Sequence, residues 1–163
     1  MKAVMYGAGN IGRGFIGQLF SQSGYETAFI DVAPAVIEQL NTQHEYPVRI
    51  LYKEGYEESM VKNVSCVDGK DPEAIADAIA EADVMATAVG VNILKFIFGN
   101  IAGGLRKRWQ DPNKAPLNII ICENLIGADK YLKEEIGKLL NDDEKKLLDE
   151  KVGFVEASIG RMV

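Results

Sequence analysis

The sequence predicts an α/β domain in which a doubly wound, mostly parallel β-sheet carries helices on both faces. Short apolar segments rich in branched residues alternate with longer segments whose apolar residues recur at helical spacing. A glycine-rich turn joins the first apolar segment to the first helical one. No repeat or interdomain linker interrupts the 163 residues, so we expect one domain. Alternation of this kind is typical of parallel sheets whose strands are connected by helices.

The N-terminal segments predict a β-α-β unit. Lys2 to Tyr6 form the first predicted strand, and apolar residues at helical spacing predict a helix over Asn10 to Ser23. Gly24 provides a stop signal for this helix, and Glu26 to Asp31 form a second strand. The unit is complete after about 30 residues.

The remaining segments continue the alternation. Pro34 and Pro72 each mark the first turn of a helix, the second behind the N-cap residue Asp71. The other predicted helices are Ile93 to Arg108, Leu125 to Leu140 and the charged segment Asn141 to Glu150. The other predicted strands are Tyr46 to Tyr52, Glu57 to Val64, Asp83 to Val89, Leu117 to Cys122 and Gly153 to Ser158, of which the first two form a hairpin.

The composition excludes several classes of function. A net charge of −6 gives no general attraction to nucleic acid. The apolar run Ile119 to Cys122 is far shorter than the roughly 20 residues that a membrane helix needs. The apolar N-terminal run is also too short for a signal peptide. We therefore expect a cytoplasmic protein that binds neither nucleic acid nor membrane.

Cysteine and histidine are too scarce for a zinc site or a histidine-dependent nucleophile. The chain has two cysteines, Cys66 and Cys122, and one histidine, His44, and none of them has the spacing of metal ligands. His44 lies in a polar segment typical of a helix end, so we expect a solvated side chain there. The sequence thus predicts no metal site and no catalytic nucleophile.

The turn after the first strand has the pattern G-x-G-x-x-G. Its glycines are Gly7, Gly9 and Gly12, and Asp31 follows 19 positions later at the end of the second strand. In this context the pattern is the fingerprint of a Rossmann-like dinucleotide-binding domain. Gly7 permits the tight turn, Gly9 lets a pyrophosphate approach the backbone, and Gly12 lets the helix lie close to the sheet. The alternative is a glycine-rich turn that binds nothing.

Asp31 fits the carboxylate that accepts hydrogen bonds from the adenosine ribose hydroxyls. Val32, Ala33 and Pro34 follow it, so no basic residue nearby could neutralise a 2′-phosphate. The sequence therefore favours NAD over NADP. Asp31 could also cap the helix that begins near Pro34, and the two roles are compatible.

Three other places are candidates for binding. Thr87 to Gly90 end a predicted strand, at the sheet edge where such folds bind ligands. Glu123 and Asn124 end the next strand in the equivalent place, although Asn124 could instead cap the following helix. Arg13 follows the last glycine of the fingerprint closely enough to meet a phosphate, or is simply a surface arginine.

Longer motifs resemble those of one enzyme family. They are Gly7 to Gly17, Thr87 to Gly90, Pro116 to Ile120, Cys122 to Asn124 and Val152 to Val155. Together they closely resemble the N-terminal half of the mannitol-1-phosphate 5-dehydrogenases, which belong to the polyol-specific long-chain dehydrogenases. The resemblance covers nearly the whole chain. It implies that residues 1–163 are the NAD-binding domain of an oxidoreductase that interconverts mannitol 1-phosphate and fructose 6-phosphate by hydride transfer.

The resemblance also implies roles for individual residues. The positions assigned to the cofactor are Gly7, Gly9, Asn10, Ile11, Gly12 and Asp31, with Thr87, Ala88, Val89 and Gly90 at its inner part. Asn124 falls on an asparagine near the nicotinamide and the substrate. The family's catalytic lysine lies in a K-x4-N-x2-H motif of a mostly helical C-terminal domain, and this chain has no such motif. We therefore expect the substrate domain to be absent from this chain, and the chain alone to be inactive.

One departure from the family pattern leaves the substrate open. Gly160 precedes Arg161 where the family usually has an aspartate, so a related sugar-acid dehydrogenase acting on altronate is the near alternative. A non-catalytic, nucleotide-sensing regulatory domain would share the glycine turn and the following acid. A methyltransferase would share them too, but the spacing of Gly12 disfavours that class.

Overall fold

The computed structural model describes residues Met1 to Val163 and shows one six-stranded sheet and a separate two-stranded hairpin. The strands are β1 (Lys2–Tyr6), β2 (Glu26–Asp31), β3 (Glu45–Tyr52), β4 (Gly55–Lys62), β5 (Val64–Asp68), β6 (Val84–Thr87), β7 (Leu117–Ile121) and β8 (Val152–Glu156). The sheet has the order β5-β2-β1-β6-β7-β8, and every strand pair in it is parallel. Apart from the inserted hairpin β3–β4, this is the strand order of the doubly wound Rossmann fold. The predicted fold class is confirmed.

Helices connect the strands on both faces of the sheet. They are α1 (Gly17–Gln22), α2 (Pro34–Gln43), α3 (Pro72–Glu81), α4 (Val91–Arg108), α5 (Ala128–Gly137) and α6 (Asp142–Lys151). The side chain of Asp71 caps α3 by accepting hydrogen bonds from two backbone N–H groups of its first turn. Asn141 and Glu144 form a reciprocal capping box at the start of α6. None of the helices is both long enough and apolar enough to cross a membrane.

Two apolar layers lie on opposite sides of the sheet. Val4 and Tyr6 of β1 pack into the layer covered by α3, α4, α5 and α6, whereas Ala3 and Met5 pack into the layer covered by α1, α2 and the hairpin. This division follows because successive residues of a strand point to opposite faces. Both faces of the central strands are therefore buried, as expected for a parallel sheet between helices.

The prediction was wrong about where the hairpin ends. It extended the second hairpin strand from Glu57 to Val64, whereas β4 ends at Lys62 and Val64 begins β5, a strand that was not predicted. Asn63 lies between them in the left-handed conformation, with φ of 58°. Asparagine tolerates this conformation better than most residues, and it turns the chain out of the hairpin. The next five residues then pair with β2 at the edge of the main sheet.

Two helices also differ from their predicted extents. The helix predicted over Leu125 to Leu140 begins only at Ala128, because Gly127 adopts a left-handed φ of 73° just before it. The helix predicted over Asn10 to Ser23 contains a π-helical turn, Gly12–Ile16, ahead of α1. The charged helix predicted over Asn141 to Glu150 is confirmed as α6.

Arg108 joins three chain segments at the amino edge of the sheet. The residue is 4% exposed, and its Nη1 donates to the carbonyl oxygens of Ala80 at 3.0 Å and Ala82 at 2.6 Å. Its Nη2 donates to the carbonyl oxygen of Ala115 at 2.7 Å. Burial lowers the pKa of this guanidinium from its ordinary value, while the charge of Asp83 opposes the shift. One buried cation thus satisfies carbonyls from the end of α3 and from the segments that lead into β6 and β7.

Candidate functional site

The glycine loop, residues Gly7 to Gly12, lies where the strand order of the sheet reverses. β1 pairs with β2 on one side and with β6 on the other. The backbone N–H of Gly7 donates to the carbonyl oxygen of Ile30 at 2.9 Å, and the N–H of Ala88 donates to that of Tyr6 at 2.8 Å. The loop is therefore fixed at the carboxyl edge of three adjacent strands. Open α/β sheets bind ligands in the crevice at this point.

Different structural constraints act on the three glycines of the fingerprint. Gly7 has φ of +102°, and a Cβ there would lie 2.4 Å from the carbonyl oxygen of Ala88. A Cβ on Gly12 would lie 2.0 Å from the carbonyl oxygen of Gly7. A Cβ on Gly9 would meet no atom within 4 Å. Turn geometry and close packing thus require Gly7 and Gly12, whereas the backbone of Gly9 faces open space.

Asp31 connects the end of β2 to the glycine loop. Its Oδ2 accepts a hydrogen bond from the backbone N–H of Ala8 at 2.8 Å, and its Oδ1 accepts one from that of Ala33 at 2.9 Å. The N-cap residue of α2 is Ala33, which makes no side-chain cap, so the alternative of Asp31 as an N-cap is wrong. Each carboxylate oxygen has a second lone pair for another donor.

Asp31 lines a cavity of about 360 Å³ at the crevice, which we name the Asp31 cavity. Its walls include Gly7, Gly9, Ala88 and Val89 among the predicted site residues. The other lining residues, none of which the sequence analysis assigned, are Tyr6, Ile30, Val32, Gly69, Ile93, Phe96, Ile97 and Asn100. The cavity therefore combines one carboxylate and open loop backbone with apolar walls, as is common in cofactor sites.

Phe96 and Asn100 are the most informative of these additional residues. Phe96 is 68% exposed near the start of α4, and Asn100 Nδ2 donates to the Tyr6 hydroxyl at 2.8 Å. Burial raises the pKa of Tyr6, and the hydrogen bond from Asn100 partly opposes this shift. The signal available in the sequence was an aromatic residue near the start of the helix that follows Thr87 to Gly90. Asn100 carries no such signal, because only the folded chain places it against β1.

Glu123 holds the segment that follows β6. Its Oε1 accepts a hydrogen bond from the backbone N–H of Val89 at 2.9 Å, and its Oε2 accepts one from that of Gly90 at 2.8 Å. Glu123 is 7% exposed, and Gly90 has φ of +89°. Both carboxylate oxygens are thus used in shaping the loop that leads into α4. Thr87, the last residue of β6, is fully buried.

The other predicted site residues lie outside the Asp31 cavity. Asn124 is exposed at the end of β7, and α5 begins four residues later, so Asn124 does not cap that helix. Ile11 is half-buried and packs into the layer beneath α1. Asn10 and Arg13 line a second cavity on the other side of the loop. Arg13 Nε donates to the carbonyl oxygen of Ala8 at 2.5 Å, which holds its side chain against the loop.

The cysteines and the histidine provide no reactive group at the crevice. Burial, reinforced by the charge of Asp31, raises the pKa of the Cys66 thiol to about 12. Burial, reinforced by the charge of Glu123, raises the pKa of the Cys122 thiol to about 11. His44 ends α2, and its Nδ1 lies 3.0 Å from the carbonyl oxygen of Val64, away from the crevice. No cluster of side chains in the structure has the composition of a metal site.

Sequence comparison identifies relatives along the entire chain. The family model described as the mannitol dehydrogenase Rossmann domain matches residues 1–163. A mannitol-1-phosphate 5-dehydrogenase of Brevibacillus brevis is 45% identical over all of this chain and 42% of its own length. The same enzyme of Lactococcus lactis subsp. lactis is 42% identical over 99% of this chain and 42% of its own length. The chain thus spans about two fifths of the length of these curated relatives.

Solved structures show the same fold at low sequence identity. Pseudomonas fluorescens mannitol 2-dehydrogenase, in a ternary complex with NAD and D-mannitol, has a TM-score of 0.76 at 11% identity, over 94% of this chain and 40% of that one. A UDP-glucose dehydrogenase from Pyrobaculum islandicum has a TM-score of 0.60 at 15% identity, over 96% of this chain and 35% of that one. The match of the family model to all 163 residues shows that this chain belongs to the mannitol dehydrogenase family, as its Rossmann domain.

Proposed function

We propose that this chain is the NAD-binding domain of an NAD-dependent mannitol-1-phosphate 5-dehydrogenase. The observation that carries the proposal is the Asp31 carboxylate, which shares one cavity with the open backbone of Gly9. The curated relatives that match the whole chain bear this enzyme's name, which supports the choice of substrate. The whole protein would interconvert mannitol 1-phosphate and fructose 6-phosphate, and we place it in the cytoplasm.

The residues at the crevice fit a dinucleotide. The open backbone of Gly9 leaves room for a pyrophosphate, and the free N–H groups of the helical residues that follow favour its negative charge. Asp31 retains lone pairs for the two hydroxyls of the adenosine ribose. Val32 and Phe96 provide apolar surfaces for an adenine ring. Bound NAD supplies the hydride acceptor of the reaction.

The charge of the Asp31 cavity favours NAD over NADP. Asp31 is the only charged residue among those that line it, so no cation there would pair with a 2′-phosphate. The carboxylate would also repel a phosphate group directly. Selectivity thus comes from one attractive contact with the ribose diol and one repulsive contact with its phosphorylated form.

We place the catalytic base in a further domain. Within the Asp31 cavity only Tyr6 and Asp31 carry ionisable groups. Tyr6 has a raised pKa, and Asp31 already accepts two backbone hydrogen bonds. Removal of a hydroxyl proton needs a positioned base whose pKa lies near the working pH. The relatives have more than half of their length outside the matched region, which leaves room for that domain.

Within this proposal, the exposed Asn124 at the end of β7 orients the substrate beside the nicotinamide. Its amide can donate and accept hydrogen bonds but cannot act as a base near neutral pH. We assign Thr87 to Gly90 to the inner part of the cofactor site, where Ala88 and Val89 line the Asp31 cavity and Glu123 holds the backbone of Val89 and Gly90.

Two measurements test the proposal. Calorimetry of this chain with NAD and with NADP should show tighter binding of NAD. A chimaera in which this chain replaces the matching two fifths of the Lactococcus lactis relative should form NADH from mannitol 1-phosphate. Tighter binding of NADP would contradict the cofactor assignment. A folded chimaera that binds NAD but does not oxidise mannitol 1-phosphate would contradict the substrate assignment.

A further inference from the structure

A second cavity of about 500 Å³ lies on the other side of the glycine loop, and we name it the arginine cavity. Three of the chain's five arginines line it, although they are far apart in the sequence: Arg13, Arg49 and Arg161. No aspartate or glutamate is among its lining residues. In a chain with a net charge of −6 this is a strong local concentration of positive charge.

Each arginine comes from a different part of the fold. Arg13 lies in the π-helical turn after the glycine loop, Arg49 on β3 of the inserted hairpin, and Arg161 in the segment that follows β8. The Tyr46 hydroxyl donates to the carbonyl oxygen of Arg13 at 2.8 Å and so connects the hairpin to the turn. The cavity is therefore formed by tertiary structure rather than by one flexible segment.

The guanidinium groups keep N–H donors available. Arg13 and Arg161 form no salt bridge, and Arg13 uses only its Nε in a side-chain hydrogen bond. Arg49 pairs through Nε with Glu58 at 2.7 Å, which leaves both of its terminal nitrogens without a partner. An arginine with free terminal nitrogens is suited to bidentate contact with phosphate.

Arg161 is held in place by a partly buried polar chain. Its Nη1 donates to Gln18 Oε1 at 2.8 Å, and its guanidinium carbon lies 4.4 Å from the ring centroid of Phe15. Gln18 is only 4% exposed, and its Nε2 donates to the Ser59 hydroxyl on β4 at 3.0 Å. A buried amide that spans α1 and the hairpin thus orients a cation at the cavity wall. This arrangement costs less ordering entropy on binding than a free surface arginine would.

We propose that the arginine cavity binds the phosphate group of a phosphate monoester substrate and thereby separates polyol phosphates from plain polyols. The inference rests on the proposed function and names the part of the chain that recognises the phosphate group of the substrate. Gly9 is the one residue that lines both cavities, so a ligand in the arginine cavity lies next to the crevice without occupying the Asp31 cavity. A dianion pairs with two or three guanidinium groups there, whereas a plain polyol offers them no negative charge.

Amide NMR titrations of this chain test the proposal with four probes: mannitol 1-phosphate, fructose 6-phosphate, inorganic phosphate and mannitol. Each titration is run with and without saturating NAD. The sugar phosphates should shift the amides of Gly14 and the hairpin, both with and without NAD, while mannitol should leave them unchanged. Inorganic phosphate should bind more weakly, because it shares only the phosphate contact.

Three substitutions make the test specific. Arg49→Gln and Arg161→Gln should each weaken mannitol 1-phosphate binding by about tenfold or more. Arg106→Gln removes the same charge from the surface pair with Glu144, and it should leave binding unchanged. Melting temperatures confirm that the variants are folded, and Arg49 is the safer position because its side chain is largely exposed.

The outcomes separate this inference from the proposed function. Unchanged sugar-phosphate binding in both Arg49→Gln and Arg161→Gln would overturn the inference. Competition between NAD and mannitol 1-phosphate for the cavity would also overturn it, because the arginines would then bind the cofactor's pyrophosphate. A third outcome is that the chain does not bind NAD but still binds phosphate through the arginines. That result would contradict the proposed function and would still support the phosphate site.

Discussion

The carboxylate of Asp31 accepts a hydrogen bond from the backbone N–H of Ala8, and the two atoms lie 2.8 Å apart. Ala8 lies between the first two glycines of the loop, so this contact sets the loop's distance from the end of β2. The same carboxylate lines the Asp31 cavity. One side chain therefore shapes the loop and presents negative charge to a ligand.

Asp31→Asn should weaken NAD binding roughly 10- to 150-fold, because a hydrogen bond to a charged group is typically worth about 1.5–3 kcal/mol. NADP binding should change little or improve, since the repulsion of a 2′-phosphate is removed. Asparagine keeps one acceptor oxygen for the backbone N–H of Ala8, but its NH₂ group would then face the backbone N–H of Ala33, so a melting curve of the variant separates lost stability from lost binding. Calorimetry with both cofactors measures the change. Asp68, which pairs with Asp31 in register on β5 but lies outside the cavity, provides the control Asp68→Asn.

Gly9→Val should abolish NAD binding and leave a folded domain. A Cβ at Gly9 meets no atom within 4 Å, so the side chain would extend into the space that we assign to the pyrophosphate. Gly12→Ala is the matched comparison, because its Cβ would lie 2.0 Å from the carbonyl oxygen of Gly7. We expect this overpacking to destabilise the domain by about 1–3 kcal/mol or more. Circular dichroism melts distinguish the two, and global unfolding of Gly9→Val would contradict our assignment.

Glu123→Gln should destabilise the domain by about 1–3 kcal/mol, because an amide NH₂ would face a backbone N–H donor. Both oxygens of Glu123 accept hydrogen bonds, from Val89 and Gly90. Glu156→Gln is the control, since Glu156 is exposed and only its Oε1 accepts a backbone hydrogen bond, from Gly127. Urea denaturation gives the two free energies of unfolding. If both substitutions lower the free energy of unfolding by the same small amount, the second oxygen of Glu123 contributes nothing to stability.

The raised pKa values of Cys66, to about 12, and of Cys122, to about 11, predict a loss of stability at alkaline pH. Thiols of the unfolded chain ionise above about pH 8.5, whereas the buried thiols stay neutral. The contribution of these thiols to the free energy of unfolding is therefore complete below that pH and falls as pH rises toward the folded-state pKa values. Urea denaturation from pH 8 to about pH 10.5 measures the slope. The variant with Cys66→Ala and Cys122→Ala should show a shallower slope, and an equal slope would contradict the prediction.

This chain alone should show no dehydrogenase turnover with mannitol 1-phosphate, even at saturating NAD. A positioned base typically contributes about 10²–10⁴ in rate, and we place that base outside these residues. The substrate would also lack its second wall, so much of a positioning contribution of up to about 7–11 kcal/mol would be lost. The absorbance of NADH, followed beside the Lactococcus lactis relative, provides the measurement. Turnover within about tenfold of that enzyme would place the base within this chain.

The sequence predicted the parts of the fold that depend on local pattern. The glycine loop, the helix after it and β2 follow from glycine positions and apolar spacing that lie within about 30 residues. It missed β5 because Val64 was assigned to the end of the hairpin, and the four residues left, Ser65 to Asp68, are too short and too polar to predict a strand by themselves. Only the left-handed backbone of Asn63 separates the two strands, and asparagine adopts that conformation too rarely to predict it.

The candidate site, like the fold, could be predicted only where a local motif defines it. The motif predicted Gly7, Gly9 and Asp31 as site residues, and the structure brings them together. Glu123 was expected at the mouth of the crevice, but its oxygens are used by Val89 and Gly90, contacts that depend on the pairing of β6 with β7. Arg49 and Arg161 lie in segments without a motif, and only the tertiary fold places them beside the loop.

The two edges of the sheet are held together in different ways, and Arg108 is the reason at the amino edge. The guanidinium of Arg108 donates to carbonyl oxygens at the end of α3 and in the segments that lead into β6 and β7, so one side chain ties these three segments together. At the opposite edge, Asp31 binds the backbone that follows β1 and β2, and Glu123 binds the backbone that follows β6. The amino edge of the sheet is thus held by a single buried cation, and we expect adjustments to a ligand to fall in the short loops of the carboxyl edge instead.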